Sequence, residues 1–276
     1  MSVWQVIVYA IVQGITELFP ISSVGHGVML PYLAGWTNVS EDPQFLPFMV
    51  LLHLGTAIAL ILYFWRDWVN LLSALFTDKP RERRLLFLIV VATIPAAIIG
   101  KLLETKLREL FPSATSAAFF LMINGLVLLY ADRYRRRARA TVQLEEVSYA
   151  RSFMIGLVQA FALIPGFSRS GITMTAGLKS GLSYEDAARF SFLLATPVIL
   201  GAAVLEVPKV VHSHNSHMLT SGILGGILTG IIAYASTYFL MRYFRNSKLE
   251  ALRPFGLYCL VVGAVVFVLS LLHIHL

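Results

Sequence analysis

The chain has 276 residues, of which 57% are hydrophobic and only 13% are charged, and its formal net charge is +7. Soluble domains carry about a quarter of their residues as Asp, Glu, Lys or Arg, so this composition excludes an ordinary soluble protein and predicts an integral membrane protein. The single cysteine excludes an internal disulfide.

The first predicted element, residues 11–35, is apolar but broken by a proline and several polar residues. Gln13 and Glu17 are four residues apart, so they share one face of a short helix. Pro20 ends that helix, because proline lacks a backbone N–H and clashes with the preceding turn. A segment broken in this way is a poor spanning helix. We therefore predict a re-entrant helix–turn–helix, which enters and leaves the membrane on the same side.

The turn after this break carries the polar residues of interest. Ser22 and Ser23 are placed to cap the second short helix, and Gly25 and His26 fall in its opening turn. Irregular backbone at membrane depth is tolerated only where it is buried in protein or lines a cavity. The sequence therefore predicts that this turn lines a site.

Three long apolar stretches follow, at residues 48–65, 85–103 and 117–131, of which the last is the shortest. A helix needs about 20 apolar residues to cross the hydrocarbon core, and its backbone groups must pair within the segment. Three transmembrane helices are predicted here. The charged segment that follows is predicted to be a cytoplasmic linker over residues 136–150.

The second half repeats this order of features. The segment 157–181 has a Val-Gln start, a break and a polar turn whose residues are Pro165, Gly166, Ser168, Arg169 and Ser170. Thr173 lies on the helix after the turn. Three more apolar stretches follow, at residues 187–208, 219–241 and 255–274.

Because each half contains three spans, an odd number, the second half is predicted to lie upside down relative to the first. The predicted fold is an all-α polytopic membrane protein with two inverted-topology repeats, each a re-entrant helix–turn–helix plus three transmembrane helices. The first repeat covers residues 1–135 and the second covers 151–276. Inverted repeats with broken helices place a site near the bilayer midplane.

The positive charge reflects membrane topology rather than binding of nucleic acid. Loops 66–84, 132–151 and 242–253 hold fifteen Lys and Arg residues, whereas the alternate loops hold four. This asymmetry predicts that the basic loops are cytoplasmic.

If the two turns meet, two helix N-termini converge, and this arrangement binds phosphate well. Arg169 would add a planar cation that matches phosphate oxygens. Glu17 and His26 would supply a base or metal ligand and an acid, and a serine would supply a nucleophile. Purely structural roles stay open at this stage: caps for the serines, snorkelling for Arg169 and packing for His26. His53 either lines the cavity or packs.

QGITELFPISSVGH, residues 13–26, and PGFSRSGIT, residues 165–173, resemble the paired signatures of the undecaprenyl-diphosphate phosphatase family, the bacitracin-resistance family. The match in motif order extends over nearly the whole chain. The resemblance implies removal of the terminal phosphate from undecaprenyl diphosphate, which recycles the lipid carrier for cell-wall synthesis and relates to bacitracin resistance. It also implies a divalent cation, Mg²⁺ or Ca²⁺.

Carried over by position, the resemblance implies that Glu17, Ser23, His26 and Arg169 are catalytic, with Ser23 as nucleophile and Glu17 as metal ligand. The implied substrate-binding residues are Gln13, Ser22, Gly25, Gly166, Ser168, Ser170 and Thr173. The chain departs from the family pattern in two ways. Gln13 is the uncharged option at its position, which leaves one carboxylate, and Val24 replaces a usual threonine.

The resemblance further implies a location in the cytoplasmic (inner) membrane, with the site open to the outer, periplasmic face. The expected partners are the polyprenyl diphosphate substrate and membrane lipid, with no nucleic acid, and a homodimer is left open. The main alternative is a lipid-phosphate transporter or flippase, because inverted repeats with broken helices are also a transporter plan.

Overall fold

The computed structural model describes residues 1–36, 39, 45–110, 113–137, 142–212, 216–247 and 249–274, and within its helices it leaves out the side chains of residues 46, 104–110, 209–212, 216 and 217. Every regular element in these ranges is helical. The α-helices are α1 (Val3–Thr16), α2 (Ser23–Leu33), α3 (Phe45–Tyr63), α4 (Trp65–Ser73), α5 (Pro80–Leu110), α6 (Ala114–Arg137), α7 (Tyr149–Gln159), α8 (Arg169–Lys179), α9 (Tyr184–His212), α10 (Ser216–Asn246) and α11 (Arg253–Leu271).

Two pairs of short helices interrupt the series of long ones, as the sequence predicts. The pairs are α1 with α2 and α7 with α8, and each of the four helices has 11 to 14 residues. Serine side chains cap all four N-termini, from Ser2, Ser22, Ser148 and Ser168. A serine at this position accepts a hydrogen bond from an otherwise unpaired backbone N–H. The breaks therefore have local causes that can be found in the sequence.

Five of the six predicted spans are confirmed. In the described residues, five helices are long and apolar enough to cross a membrane: α5, α6, α9, α10 and α11. The remaining stretch forms α3, which joins α4 across a 74° bend, and if this bent pair crosses the membrane as one unit it is a sixth span. The chain is therefore a multi-pass membrane protein.

One element was not expected. Residues 65–73, which fall almost entirely in a predicted basic loop, form α4, and this helix exposes Trp65, Val69 and Leu72. These residues recur at intervals of three and four, which gives one apolar stripe along a helix. The basic residues around α4 obscured this pattern.

The linker prediction falls partly outside the described residues, at 138–141. In the described part, α6 continues to Arg137 and a 3₁₀ turn forms at Leu144–Glu146. The side chains of Leu144 and Val147 are buried in the main apolar core. This part of the linker therefore packs against the helices rather than extending into solvent.

Helices from the two halves pack against each other. Helix α6 packs along α11, α3 packs along α10 and α9, α1 packs along α10, and α7 packs along α5. The contact between α3 and α10 is very close at Gly55, where an added Cβ would lie 2.0 Å from the carbonyl oxygen of Gly226. Small residues allow this kind of backbone approach between membrane helices. The four short helices are thereby held among the long ones.

Candidate active site

The two polar turns meet inside the helix bundle. A Cβ added to Gly25 would lie 3.0 Å from Gly166 Cα, so the backbones are in contact. Ser170 Oγ also donates a hydrogen bond to the carbonyl of Phe19 at 3.2 Å. The motifs of the two halves therefore contribute to one location, although well over a hundred residues separate them.

The turns are built alike. In the first, Ser22 Oγ accepts from the backbone N–H of Gly25 at 3.1 Å, and in the second, Ser168 Oγ accepts from Gly171 at 3.1 Å. Ser22 has a φ of 71°, which is strained for a residue with a side chain, and such strain is concentrated at functional sites. Ser23 and Arg169 are consequently the first residues of their helices, at the ends where backbone N–H groups favour anions.

Glu17 lies at the centre of a buried polar cluster and is only 7% exposed. Its Oε2 accepts hydrogen bonds from Ser23 Oγ and from Gln13 Nε2, the latter at 3.2 Å. His53 Nε2 on α3 lies 3.2 Å from the same oxygen. Oε1 accepts from Arg169 Nη2 at 3.2 Å and from its Nε at 3.4 Å. Three of the predicted residues, Gln13, Ser23 and Arg169, thus converge on the carboxylate.

Arg169 is held in place from two sides. Besides Glu17, it donates from Nη1 to the backbone carbonyl of Ser191 at 2.9 Å. Thr173 Oγ1 donates to Ser191 Oγ at 2.7 Å, and so ties α8 to α9 behind the arginine. A planar guanidinium can contact both partners at once with different nitrogens. This arrangement fixes the cation beside Glu17 and Ser23.

Asn124, on α6, joins the two turns and is fully buried. Its Nδ2 donates to the carbonyl of Pro20 at 3.0 Å, and its Oδ1 accepts from the backbone N–H of Ser168 at 3.0 Å. Both atoms of the amide are therefore used, one on each turn. Asn124 was not predicted, although an amide inside the shortest apolar stretch was a usable signal, because membrane spans rarely bury polar groups without a partner.

His26 lies apart from the Glu17 cluster in its contacts. Its Nδ1 lies 2.7 Å from the Ser22 carbonyl, so Nδ1 carries a proton, and its Nε2 forms a hydrogen bond with the Tyr258 hydroxyl at 2.9 Å. The ring also stacks on Tyr258, with centroids 5.7 Å apart. Within the described residues, no hydrogen bond joins His26 to Glu17, Ser23 or Arg169. Tyr258, on the last helix, was not predicted, and the sequence has no motif that singles it out.

The remaining predicted substrate-binding residues form the contact between the turns. Ser168 Oγ and Ser170 Oγ are 3.0 Å apart. Gly166 has a φ of +106°, and a Cβ there would lie 2.3 Å from the Ala117 carbonyl oxygen. This position therefore has no space for a side chain and a backbone conformation that favours glycine. Its backbone can approach a ligand or the neighbouring turn closely.

Glu17 and Gln13 carry the side-chain oxygens of the site that would hold a divalent cation. Mg²⁺ and Ca²⁺ require oxygen ligands, whereas both oxygens of Glu17 already face hydrogen-bond donors. Gln13 Oε1 is buried and has no hydrogen-bond partner in the described part of the chain. Mg²⁺ is usually held by one or two carboxylates together with substrate phosphates, so Glu17 and Gln13 Oε1 would hold it beside a bound diphosphate. In the same ranges, no three His, Cys, Asp or Glu side chains form a metal-binding group. The divalent cation stays a prediction.

The cluster is suited to nucleophilic chemistry on a phosphate. A hydroxyl that donates to a carboxylate is the arrangement by which a base activates a serine nucleophile. Arg169 and two helix N-termini supply positive potential beside that hydroxyl. The same groups could also bind and orient a phosphate without reaction, as a transporter would require.

Comparison with known proteins identifies the family of the chain. The profile of the family described as bacitracin resistance protein BacA matches residues 6–265. The chain belongs to this family.

Relatives in the family resemble the chain over almost its full length. Undecaprenyl-diphosphatase 2 of Chromobacterium violaceum is 49% identical, over 96% of this chain and 98% of the relative. Undecaprenyl-diphosphatase of Granulibacter bethesdensis is 48% identical, over 95% of each chain. Undecaprenyl-diphosphatase 2 of Oenococcus oeni is 44% identical, over 95% of this chain and 97% of the relative. The resemblance inferred from the two motifs is therefore confirmed at the level of the family.

Proposed function

We propose that the chain is an integral membrane phosphatase that hydrolyses undecaprenyl diphosphate to undecaprenyl phosphate and inorganic phosphate. The observation that carries this proposal is the contact of Ser23, from the first turn, and Arg169, from the second, with one carboxylate, Glu17. The names of the relatives, undecaprenyl-diphosphatase, support the choice of substrate. In this role the protein recycles the lipid carrier for cell-wall synthesis, and its activity contributes to bacitracin resistance.

In the proposed reaction, Ser23 Oγ attacks the terminal phosphorus and its proton passes to Glu17 Oε2. The bond between that phosphorus and the bridging oxygen breaks, and undecaprenyl phosphate leaves. Water then hydrolyses the phosphoserine, which restores Ser23 and releases inorganic phosphate. Attack by a Glu17-activated water in place of Ser23 is the alternative that the sequence left open.

Arg169 has a dual role in this scheme. Before substrate binds, its guanidinium donates to Glu17 Oε1, and this pairing makes the carboxylate a weaker base. When phosphate oxygens take over the guanidinium, Oε1 loses two donors, and Glu17 becomes a stronger base for the Ser23 proton. Substrate binding thus activates the nucleophile. We place Gly25, Gly166, Ser168 and Ser170 around the bound phosphates.

We also propose the inverted-repeat arrangement and a site that opens to the periplasmic face of the cytoplasmic membrane. The packing of the helices supports the inverted-repeat arrangement. In chain order, α1 of the first half corresponds to α7 of the second, and α5 corresponds to α10. The contact of α1 with α10 is matched by the contact of α7 with α5, as expected for two halves with the same internal plan. The pairs α3 with α9 and α6 with α11 likewise join corresponding helices. The clustering of basic residues in alternate loops supports a cytoplasmic location of those loops, which fixes the orientation of the chain in the membrane.

The decisive experiment measures phosphate release from undecaprenyl diphosphate by the purified protein in detergent. We expect release by the wild type and none above background by Ser23→Ala. Ser270→Ala is the matched control, because this serine is also buried, on α11, and donates to the carbonyl of the nearby Phe267. Detergent has no compartments, so a transporter or flippase would release no phosphate. That result from well-folded protein would reject the phosphatase.

A further inference from the structure

Helix α4 carries an apolar stripe that the described part of the chain leaves uncovered. Trp65, Val69 and Leu72 are each more than half exposed, and their spacing places them along one side of the helix. Phe76, in the turn that follows α4, continues this side and is 89% exposed. These four residues are called the α4 stripe below.

The inward side of the same helix already has its contacts. Leu71 and Ala74 are buried, and Asp67 pairs with Arg189 on α9. Arg189 lies two residues before Ser191, so α4 is joined to the helix that supports the candidate site. These contacts fix the rotation of α4 about its own axis, so the stripe cannot turn inward. The α4 stripe is therefore a second apolar side, which needs a partner of its own.

The bend between α3 and α4 places the stripe at a surface of the membrane. Helix α3 has 19 residues, about the length that crosses the hydrocarbon core. A helix that leaves it at 74° runs nearly parallel to the membrane plane. Tryptophan is enriched at the boundary between membrane and water, and Trp65 is the first residue of α4. A short helix with one apolar side in this position is typical of helices that lie in the membrane interface.

Cationic side chains lie beside the stripe. Arg66 lies over the ring of Trp65, 5.3 Å from its centroid. On the polar side of α4, Lys79 Nζ donates to Asn70 Oδ1 at 3.0 Å. Long basic side chains can keep their charge at the level of lipid headgroups while the neighbouring apolar side enters the acyl chains. The two cations are therefore placed for headgroup phosphates.

The turn after α4 and the start of α5 extend this charge. Arg81 and Arg83 are exposed and form no ion pair within the described residues. Residues 65–84 include five basic and three acidic side chains, and Arg189, from outside the segment, neutralises Asp67. A neutral lipid would satisfy only the apolar stripe, whereas an anionic phospholipid satisfies the stripe and the charge together.

We propose that α4 and the turn after it form a docking site for anionic phospholipid. The α4 stripe enters the edge of the hydrocarbon core, and nearby cations bind the headgroup phosphates of the same leaflet. These cations are Arg66, Lys79, Arg81 and Arg83. The site is separate from the candidate active site and does not depend on the proposed hydrolysis.

Spin labelling tests where the stripe lies. The chain's only cysteine, Cys259, is buried, so a label can be attached to Val69→Cys, Phe76→Cys or Asn70→Cys, and the wild type treated in the same way measures any reaction at Cys259. In vesicles of phosphatidylcholine and phosphatidylglycerol, labels at positions 69 and 76 should be accessible to oxygen and shielded from a water-soluble nickel complex. The label at position 70, on the polar side, should be accessible to the nickel complex.

Two results of this experiment would overturn the proposal. Equal nickel accessibility at positions 69, 70 and 76 would place the stripe in water. Shielding of positions 69 and 76 from both oxygen and nickel would show that a protein partner or a second copy of the chain covers the stripe.

Fluorescence quenching tests the class of lipid. A fluorophore on Thr77→Cys, an exposed position next to the stripe, is quenched by phospholipid that carries a nitroxide. Nitroxide-labelled phosphatidylglycerol and phosphatidylcholine are compared at equal mole fraction. We expect phosphatidylglycerol to be favoured at least about threefold, and less so at high salt, because the attraction of headgroups to Lys and Arg is electrostatic.

Matched triple variants test which residues cause this preference. The combination of Arg66→Gln, Arg81→Gln and Arg83→Gln should abolish it. A control that removes the same charge from exposed arginines of the other basic segments should keep it: Arg133→Gln, Arg137→Gln and Arg242→Gln. Equal loss in both triple variants, or no preference in the wild type, would overturn the proposal. Neither test uses phosphate release, so a failure of the proposed function would leave both results interpretable.

Discussion

Gly25 and Gly166 touch across the two turns, and each lacks the side chain that would separate them. An added Cβ on Gly25 would meet Gly166 Cα at 3.0 Å, and one on Gly166 would meet the Ala117 carbonyl oxygen at 2.3 Å. Gly166 also has a positive φ, so any residue with a side chain would be strained at this position. The distance between Ser23 on one turn and Arg169 on the other therefore depends on the absence of a side chain at both glycines.

This contact predicts different results for the two glycines. Gly166→Ala should lower both the Tm in detergent and the rate of phosphate release, because the methyl group clashes with backbone. Gly25→Ala should lower the rate more than the Tm, since its overlap is smaller and separates the turns. Gly35→Ala is a control with open space around its Cβ and a positive φ of 62°. It should lower the free energy of unfolding by about 1 kcal/mol and leave the rate of phosphate release unchanged. Normal activity in Gly166→Ala would contradict the shared site.

Arg169→Lys tests whether the planar fork of the guanidinium is needed. One nitrogen cannot reach both Glu17 and the Ser191 carbonyl, which Arg169 contacts with separate nitrogens. We expect the lysine variant to lose at least about 100-fold in kcat/KM, and Arg169→Ala to lose little more. Arg151→Lys, at an exposed arginine, should behave as the wild type. A nearly normal rate in Arg169→Lys would reduce the role of Arg169 to general positive potential.

Substitution of Ser22 should mainly lower stability, whereas substitution of Ser23 should mainly lower the rate of hydrolysis. Ser22→Ala removes an N-cap and should lower stability by about 1 kcal/mol with a moderate loss of rate. Ser23→Ala should abolish hydrolysis with little change in Tm. Rapid acid quench of the wild type with labelled substrate should trap phosphoserine at Ser23. Equal, mild losses in both variants, with no trapped phosphoserine, would favour attack by water.

Glu17→Gln should abolish hydrolysis and leave the helix bundle folded. Its amide can still accept from Ser23, but it cannot take up the proton, so a loss of about 10²–10⁴-fold in kcat is expected. Glu185→Gln, which removes an exposed carboxylate that pairs with Arg245, is the control and should keep full activity. If Glu17→Gln retained more than about a tenth of the wild-type rate, Glu17 would not be the base.

Asn124→Leu should disconnect the turns without touching the reacting groups. It leaves the Pro20 carbonyl and the Ser168 N–H buried without this partner, and each such group costs about 1–3 kcal/mol. A clear drop in Tm, together with a loss of kcat, is expected. Asn70→Leu, on the exposed side of α4, is the control and should change neither value. Unchanged stability in Asn124→Leu would show that other contacts hold the turns together.

Sequence patterns anticipated the features that have local causes. Pro20 and Pro165 mark the two breaks because proline and glycine act on the neighbouring backbone, and the spans follow from hydropathy alone. The convergence of Glu17 and Arg169 was predictable because both lie in matching turns of two similar segments. These features required no knowledge of how the long helices are rotated.

Residues contributed by the long helices were not predictable to the same degree. His53, Asn124, Ser191 and Tyr258 reach the turns from four different helices. Which side of a long apolar helix faces the site depends on packing with several neighbours, and this information is not local. The polar character of His53 and Asn124 within apolar stretches was the available signal. His26 was predicted beside the reacting groups, and its pairing with Tyr258 depends on the position of the last helix.

The close approach of α3 to α10 has a consequence for how this protein can evolve. Gly55 lies two residues after His53 on α3, and its contact with Gly226 sets how near that helix comes to its neighbour. Both glycines line an apolar groove between α3 and α10. We expect a methyl group at Gly55 to push α3 away from α10 and so to displace His53 from Glu17 without changing any reactive group. The groove therefore limits which substitutions the reaction tolerates, although neither glycine offers any chemistry of its own.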